Sequence, residues 1–328
     1  MIAAGGSLPL RGYFPYRAVR AARRDKGNTP LPPVRGHPAT PRGCRVYKKC
    51  GCKHGWMMTF DFQSYIAAHR PAGKPRVVLQ NYAYIEDMKQ MRGLAAMPLI
   101  PQVMQKGLQA WRLTERRRLQ RQSRAIAMEP RSARIWQEVC LALGEPVHEA
   151  RLMPEQKLFF EPYGDGKETF FGLSLAGTQL PAASLRFIFG QGIGALANGH
   201  VPYLTLMRFV DHLTPGFSER ATEFADALLH WQRYAVITRD RAGLLAARDM
   251  SAAIFILMRS ALDWSDDEIM QEIRRYHAGM ETDFGEREIQ IRIEALQWFE
   301  KSTLYAEACG YPTTGTLSMS EVDAAVGL

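Results

Sequence analysis

A glycine-rich stretch at residues 187–200, FIFGQGIGALANGH, has the spacing of a phosphate-binding turn. Gly190, Gly192 and Ala195 satisfy the pattern G-x-G-x-x-A, in which small residues let the backbone approach a pyrophosphate at the start of a helix. The pattern predicts dinucleotide binding at residues 190–195. A full crossover helix must follow such a turn, yet Pro202 leaves only about two helical turns before the next apolar run. We therefore favour close helix packing at these glycines and keep dinucleotide binding as an alternative.

The same stretch has a second interpretation when it is combined with residues 233–243, RYAVITRDRAG. Together the two segments resemble the zinc-binding segments of the HtpX-like and CAAX-prenyl-protease-like metallopeptidases, which read G-H-E-L-G-H and E-x-x-x-D-R-A-G. WQEVCLALG at 136–144 and RIEALQWFEKSTLY at 292–305 resemble the family's preceding helix and its C-terminal helix. The resemblance covers roughly residues 100–310.

The resemblance implies an active site that has lost its chemistry. Gln191 and Ala195 stand where the family has its two zinc-binding histidines, and Gly192 stands where it has the general-base glutamate. Val236 replaces the third ligand, a glutamate, and Glu286 replaces a further active-site histidine.

A zinc peptidase needs three protein ligands, an open position for water and a carboxylate that accepts the proton of that water. Alanine and valine have no lone pair to donate, and the amide oxygen of Gln191 suits harder cations than zinc. Gly192 supplies no proton acceptor. We therefore expect no bound cofactor and no intact catalytic residue.

The framework of the family persists in Asp240, Arg241, Gly243 and His200. In the family, the residue at the Asp240 position lies near the first metal-binding histidine. The resemblance thus predicts a catalytically inactive pseudopeptidase, a scaffold or binding module whose cleft, lined by Gln191, Ala195 and Val236, holds a peptide or protein partner. The alternative is a zinc metalloendopeptidase with displaced ligands, which would require zinc.

The predicted fold is α+β, a mostly helical zincin-like core with a small sheet. Residues 58–145 form a mostly helical arm, residues 146–310 the peptidase-like core and residues 311–328 a loose tail. Alternating apolar residues in 158–175 predict a β-hairpin around Gly164-Asp165-Gly166. Ser265 and Glu268 have the spacing of a capping box at the start of a helix.

The formal charge of +9 belongs to the N-terminal leader, residues 1–57. The leader holds twelve of the 42 Lys and Arg residues but only Asp25 among the 33 acids, so the rest of the chain has a net charge of −2. Its proline- and arginine-rich composition predicts a disordered segment or an over-extended start, with the functional chain beginning at Met57 or Met58.

A second basic feature lies in residues 106–124, where Glu115 is the only acid. Helical spacing of apolar residues predicts an amphipathic helix with a solvated basic face, which leaves an anionic partner open. No nucleic-acid-binding motif accompanies the run. Its basic residues are Lys106, Arg112, Arg116, Arg117, Arg118, Arg121 and Arg124.

Two features bear on localisation. Residues 187–207 carry no formal charge, but their glycines and polar residues predict a buried helix rather than a transmembrane span. Only Cys140 and Cys309 follow the leader, which is typical of a reducing compartment. We expect a cytoplasmic protein and leave open a peripheral position at a membrane.

Overall fold

The computed structural model describes residues 82–98, 100–155, 157–166, 168–207, 219–282, 284–310 and 315–327. All of them belong to one unit of the chain, residues 75–328. The predicted leader and the proposed start at Met57 or Met58 lie outside these residues.

The structure is mostly helical, with a small mixed sheet, and is therefore of the predicted α+β class. The helices are α1 (Ile85–Ala96), α2 (Ile100–Leu113), α3 (Glu115–Gln122), α4 (Pro130–Ala142), α5 (Ala182–Ala197), α6 (Val201–Met207), α7 (Glu219–Ala247), α8 (Met250–Ala261), α9 (Asp266–His277), α10 (Arg287–Glu300), α11 (Thr303–Cys309) and α12 (Met319–Ala325). None of the described helices combines the length and the apolar composition that crossing a bilayer requires.

Four strands form one sheet in the order β1-β2-β4-β3. They are β1 (Arg124–Ala125), β2 (Glu149–Met153), β3 (Phe160–Gly164) and β4 (Thr169–Ser174). Strands β2 and β4 are parallel, and the other two pairs are antiparallel. The β3–β4 pair confirms the predicted hairpin, and Gly166 supplies a left-handed φ of 88° in its turn.

Local capping explains where several helices begin. The capping box predicted at the start of α9 is confirmed, because the Ser265 hydroxyl and the Glu268 carboxylate each accept from the other's backbone N–H. Asp249 caps α8 by accepting from the N–H of Ala252. The same chemistry begins α4, where Glu129 accepts from Ser132 and Pro130 occupies the first turn.

Helices α5 and α7 pack closely because glycines line their contact. A Cβ added to Gly190 would lie 2.6 Å from the Ala242 carbonyl oxygen, and one added to Gly194 would lie 2.6 Å from the Ala242 Cβ. The prediction of close helix packing is confirmed for Gly190, whereas Gly192 packs on the Phe160 and Phe171 rings of the sheet. Residues 190–195 lie inside α5, so they do not form the strand-turn-helix that a dinucleotide site requires.

The main core runs across the boundary predicted at residue 145. Trp136 of α4 packs with its ring centroid 4.8 Å from that of Phe171 and 5.2 Å from that of Phe189. Helix α4 therefore belongs to the same core as the sheet and α5, because its largest apolar side chain is buried there.

The C-terminal segment also packs on the core in its described part, where the sequence predicts a loose tail. Helix α12 begins with a second capping box, from Ser318 to Glu321. Val322 is fully buried, and Asp323 pairs with the buried Arg241 of α7. An apolar face and one buried ion pair thus hold this helix in place.

Candidate functional site

Three helices bring together a polar network at the position that the resemblance assigns to zinc. Gln191 lies on α5, Asp240 on α7 and Arg292 on α10. Gln191 Nε2 donates to Asp240 Oδ1 at 2.7 Å, and Arg292 Nε and Nη2 donate to the two Asp240 oxygens at 2.7 and 2.8 Å. The contact that the resemblance implies between positions 191 and 240 is therefore present.

The Asp240 carboxylate is 1% exposed, so its charge needs a partner in the protein. The bidentate Arg292 guanidinium supplies that charge in a fixed geometry. Gln191 is thereby held as a hydrogen-bond donor. The three side chains connect α5, α7 and α10 through hydrogen bonds and one ion pair. The sequence does not reveal the role of Arg292, because 52 residues separate it from Asp240.

The position that the resemblance assigns to a general base, Gly192, has no room for a side chain. A Cβ added to Gly192 would lie 2.4 Å from Phe160 Cε1 and 3.2 Å from Phe171 Cδ1. Both rings are buried and stack on each other, with centroids 5.5 Å apart. The Phe160 and Phe171 rings therefore occupy the space that the Cβ of a glutamate at position 192 would need.

Ala195 does not line an open cleft, although the sequence analysis predicts that it does. Ala195 is fully buried in a cluster that includes Leu204, Leu228 and Trp231. It does not line a surface that a peptide reaches, because α6 and α7 cover it. The prediction that Gln191, Ala195 and Val236 share one cleft is corrected in this respect.

Val236 does line a surface cavity, of about 190 Å³. Its aliphatic lining comes from Val236, Ile237 and Ile291. Arg233 and Arg287 add positive charge to the lining, together with Glu288 and the paired Arg292. Glu286, at the position of the missing histidine, is the exposed N-cap residue of α10, immediately before Arg287.

Arg241 and Gly243 of α7, which the resemblance counts as framework, are both packed inside the protein. Arg241 is fully buried, with its guanidinium carbon 5.3 Å from the Tyr84 ring centroid and 5.5 Å from that of Phe299. Burial lowers the pKa of Arg241, and the ion pair with Asp323 at 2.7 Å opposes that shift. Gly243 lets α7 pass within contact of Phe187.

His200 belongs to a second buried polar group, and its backbone N–H donates to the Ala195 carbonyl at 2.8 Å. Its Nε2 lies 3.0 Å from Asp87 Oδ2, at the distance of an ion pair but without the alignment of a hydrogen bond. Asp87 also accepts from Trp231 Nε1 and Thr238 Oγ1, at 2.8 and 2.5 Å. These contacts join α1 to α7, and the sequence gives no local signal for them, since Asp87 and Trp231 are 144 residues apart.

Displaced zinc ligands are not found among the residues that the structure describes. No group of three or more His, Cys, Asp or Glu side chains in that part of the chain could hold a metal ion. Cys140 and Cys309 are free thiols, and burial raises the pKa of Cys140 to about 12.

The edge strand β3 has few outward hydrogen-bond donors for an added peptide strand. The Ser174 N–H donates to the Phe159 carbonyl, so the register turns the backbone of Phe160, Pro162 and Gly164 away from β4. Pro162 has no N–H, and the N–H of Gly164 donates to Thr205 Oγ1 at 3.0 Å. A peptide therefore lacks donors at two of the three outward positions.

The basic run divides into a paired part and an exposed part. Three arginines pair with acids: Arg112 with Asp165, Arg116 with Glu168 and Arg118 with Glu115. The remaining basic residues are exposed, with no ion pair to any residue in the described ranges, and they are Lys106, Arg117, Arg121 and Arg124. Within α3, Arg117 and Arg121 lie opposite the buried Leu119, about 200° around the helix.

Protein-family models, curated proteins and solved structures give no match to this chain.

Proposed function

We propose that this protein is a peptidase-like binding module that holds a peptide or a segment of a partner protein without zinc-dependent cleavage. The observation that carries the proposal is the network of Gln191, Asp240 and Arg292. Where the related pattern has a histidine ligand beside an aspartate, this chain has an amide and a guanidinium that neutralise the aspartate. A cation at this place would compete with Arg292 for the same carboxylate.

The cavity beside Val236 is the binding surface that fits this proposal. Its volume of about 190 Å³ suits one or two side chains rather than a whole small-molecule ligand. The aliphatic lining favours an apolar side chain, and the exposed Arg233 and Arg287, against the single acid Glu288, favour neighbouring carboxylates. We infer a partner segment with an aliphatic residue flanked by acids.

Fluorescence anisotropy with labelled peptides of the type Asp-Leu-Glu tests this function. The variant Arg233→Glu/Arg287→Glu is expected to weaken binding at least tenfold, because two attractive charges become repulsive. Arg134→Glu/Arg274→Glu is the matched control, since it changes the net charge equally at exposed sites on α4 and α9. Equal binding by both variants would show that the cavity beside Val236 is not the binding site.

The exposed basic residues of α2, α3 and β1 support a second partner, of anionic character. Lys106, Arg117, Arg121 and Arg124 are exposed and form no ion pair with any residue in the described ranges. We also propose a cytoplasmic location, because both described cysteines are free thiols.

A further inference from the structure

Helices α8 and α9 bring a serine and a histidine into direct contact, at a place separate from the network around Asp240. Ser251 is the second residue of α8, and His277 is the last residue of α9. The Ser251 hydroxyl and the His277 Nε2 lie 2.7 Å apart. From this pair and the groove beside it, we propose a second site, at which Ser251 is a nucleophile that hydrolyses esters of apolar acyl groups and His277 is its general base.

The groove beside Ser251 has a volume of about 620 Å³. Part of the lining comes from α8 and α9, which contribute Phe255 and Met270. Ser251 and Arg259 of α8 also line the groove, about two helical turns apart. Further lining comes from Leu180 and Pro181, just before α5, and from Leu158, just before β3. The size and the apolar lining suit a short acyl chain that ends at the serine hydroxyl.

The geometry has the features that an activated serine needs. A serine hydroxyl is a weak nucleophile unless a base within about 2.6–3.2 Å accepts its proton, and His277 meets that distance. Ser251 also lies in the first turn of α8, where the N–H groups of Met250 and Ser251 have no intrahelical acceptor. Those groups are the proposed donors for the oxygen that becomes negative when a carbonyl is attacked, and they act beside the Asp249 carboxylate, which caps the same turn and lines the groove.

The reaction balances without a cofactor. Ser251 Oγ passes its proton to His277 Nε2 and bonds to the carbonyl carbon, and the bond from that carbon to the alcohol oxygen breaks as His277 returns the proton to the alcohol. Water then attacks the acyl-serine and gives a proton to His277. The bond from carbon to Ser251 Oγ breaks, Oγ takes the proton from His277, and the carboxylic acid leaves.

Esters rather than amides are the substrates that this site favours. His277 is exposed to solvent, where the dielectric constant is high. Protein charges and dipoles therefore stabilise its protonated form less than they would stabilise that of a buried base. An alcohol is a better leaving group than an amine, and an ester therefore needs less assistance. This places the activity in a different class from peptide cleavage.

Labelling of the full chain with a fluorophosphonate probe, mapped by mass spectrometry, tests the nucleophile. We expect a covalent adduct on Ser251, a rate at least a hundredfold lower in His277→Gln, and no adduct at this site in Ser251→Ala. Ser260→Ala is the matched control, because Ser260 lies on the same helix but its hydroxyl donates to the Leu257 carbonyl. It is expected to label at the wild-type rate.

Hydrolysis of p-nitrophenyl butyrate and p-nitrophenyl acetate tests the groove. Met270 is 40% exposed, so Met270→Arg places a charge in the groove without opening the core. The variant is expected to lower the butyrate-to-acetate rate ratio at least fivefold. The proposal is overturned if folded wild-type protein forms no adduct on Ser251, if His277→Gln labels as fast as wild type, or if Met270→Arg leaves the rate ratio unchanged.

Discussion

Asp240 and Arg292 form a bidentate ion pair that joins α7 to α10, with nitrogen-to-oxygen distances of 2.7 and 2.8 Å. Gln191 of α5 donates to the same carboxylate, so three helices meet at one buried charge. The positive charge at this point of the structure comes from an arginine.

Removing either partner of this pair is expected to destabilise the fold. Asp240→Ala leaves a guanidinium without its carboxylate, and Arg292→Met leaves a buried carboxylate without its charge partner; each costs roughly 3 kcal/mol. The double variant is expected to cost clearly less than the sum of the two, because neither charge remains. Urea unfolding of the four proteins measures the coupling, and an additive result would show that the pair makes no specific contribution.

Gly192 is expected to tolerate no side chain. Gly192→Ala places a Cβ 2.4 Å from the buried Phe160 ring, and this overpacking is expected to cost about 1–3 kcal/mol. Gly93→Ala is the control, because it is also within a helix but its Cβ would have nothing within 4 Å. It is expected to stabilise by up to about 1 kcal/mol. Thermal unfolding of both variants makes the comparison, and a neutral Gly192→Ala would contradict the filled position of the general base.

Glu129 is expected to make the stability depend on pH. Burial would raise the pKa of its carboxyl, but hydrogen bonds from Ser132 and neighbouring backbone N–H groups lower the pKa below its ordinary value. The pKa of Glu129 is lower in the folded state than in the unfolded state, where it is about 4.3. The stabilisation is therefore complete above the unfolded-state pKa and is lost as the pH falls through the folded-state pKa. Glu129→Gln should therefore cost about 0.5–1 kcal/mol at pH 7 and progressively less below pH 4.

Urea unfolding between pH 7 and pH 3 measures this difference. The control is Glu155→Gln, a change at an exposed position. If the difference between wild type and Glu129→Gln stays constant down to pH 3, the cap does not depend on the charge of Glu129.

The exposed basic face is expected to contribute to binding of polyanions. Arg117→Glu/Arg121→Glu should leave a heparin column at lower salt than wild type, since exposed charges act through screened attraction. The basic leader also binds such a column, so the relevant comparison is with Arg134→Glu/Arg274→Glu, which has the same net charge. Elution of both double variants at the same salt concentration would mean that only net charge matters.

Local chemistry made parts of this fold predictable. The capping box of Ser265 and Glu268 lies within four residues, and the β3–β4 hairpin follows from alternation around a glycine turn. Close packing by Gly190 could be inferred because Pro202 leaves no room for the crossover helix that a dinucleotide site requires.

The remaining features depend on contacts between distant residues. The pair of Arg241 and Asp323, which holds the C-terminal helix, has no signature in either segment. The cover over Ala195 comes from α6 and α7, so helix periodicity alone could not show that this position is inaccessible. The Ser251–His277 contact escaped sequence analysis for the same reason, since 26 residues separate the two side chains.

Zinc content tests the central claim most directly. Full-length protein, purified without a metal-affinity tag, is incubated with excess zinc, dialysed and measured by inductively coupled plasma mass spectrometry. Because the residues at the metal positions supply no set of three donors, the expected zinc content is below about a tenth of an equivalent per chain. One equivalent of zinc that is lost in Asp240→Ala would contradict the account and restore the zinc metalloendopeptidase as the better explanation.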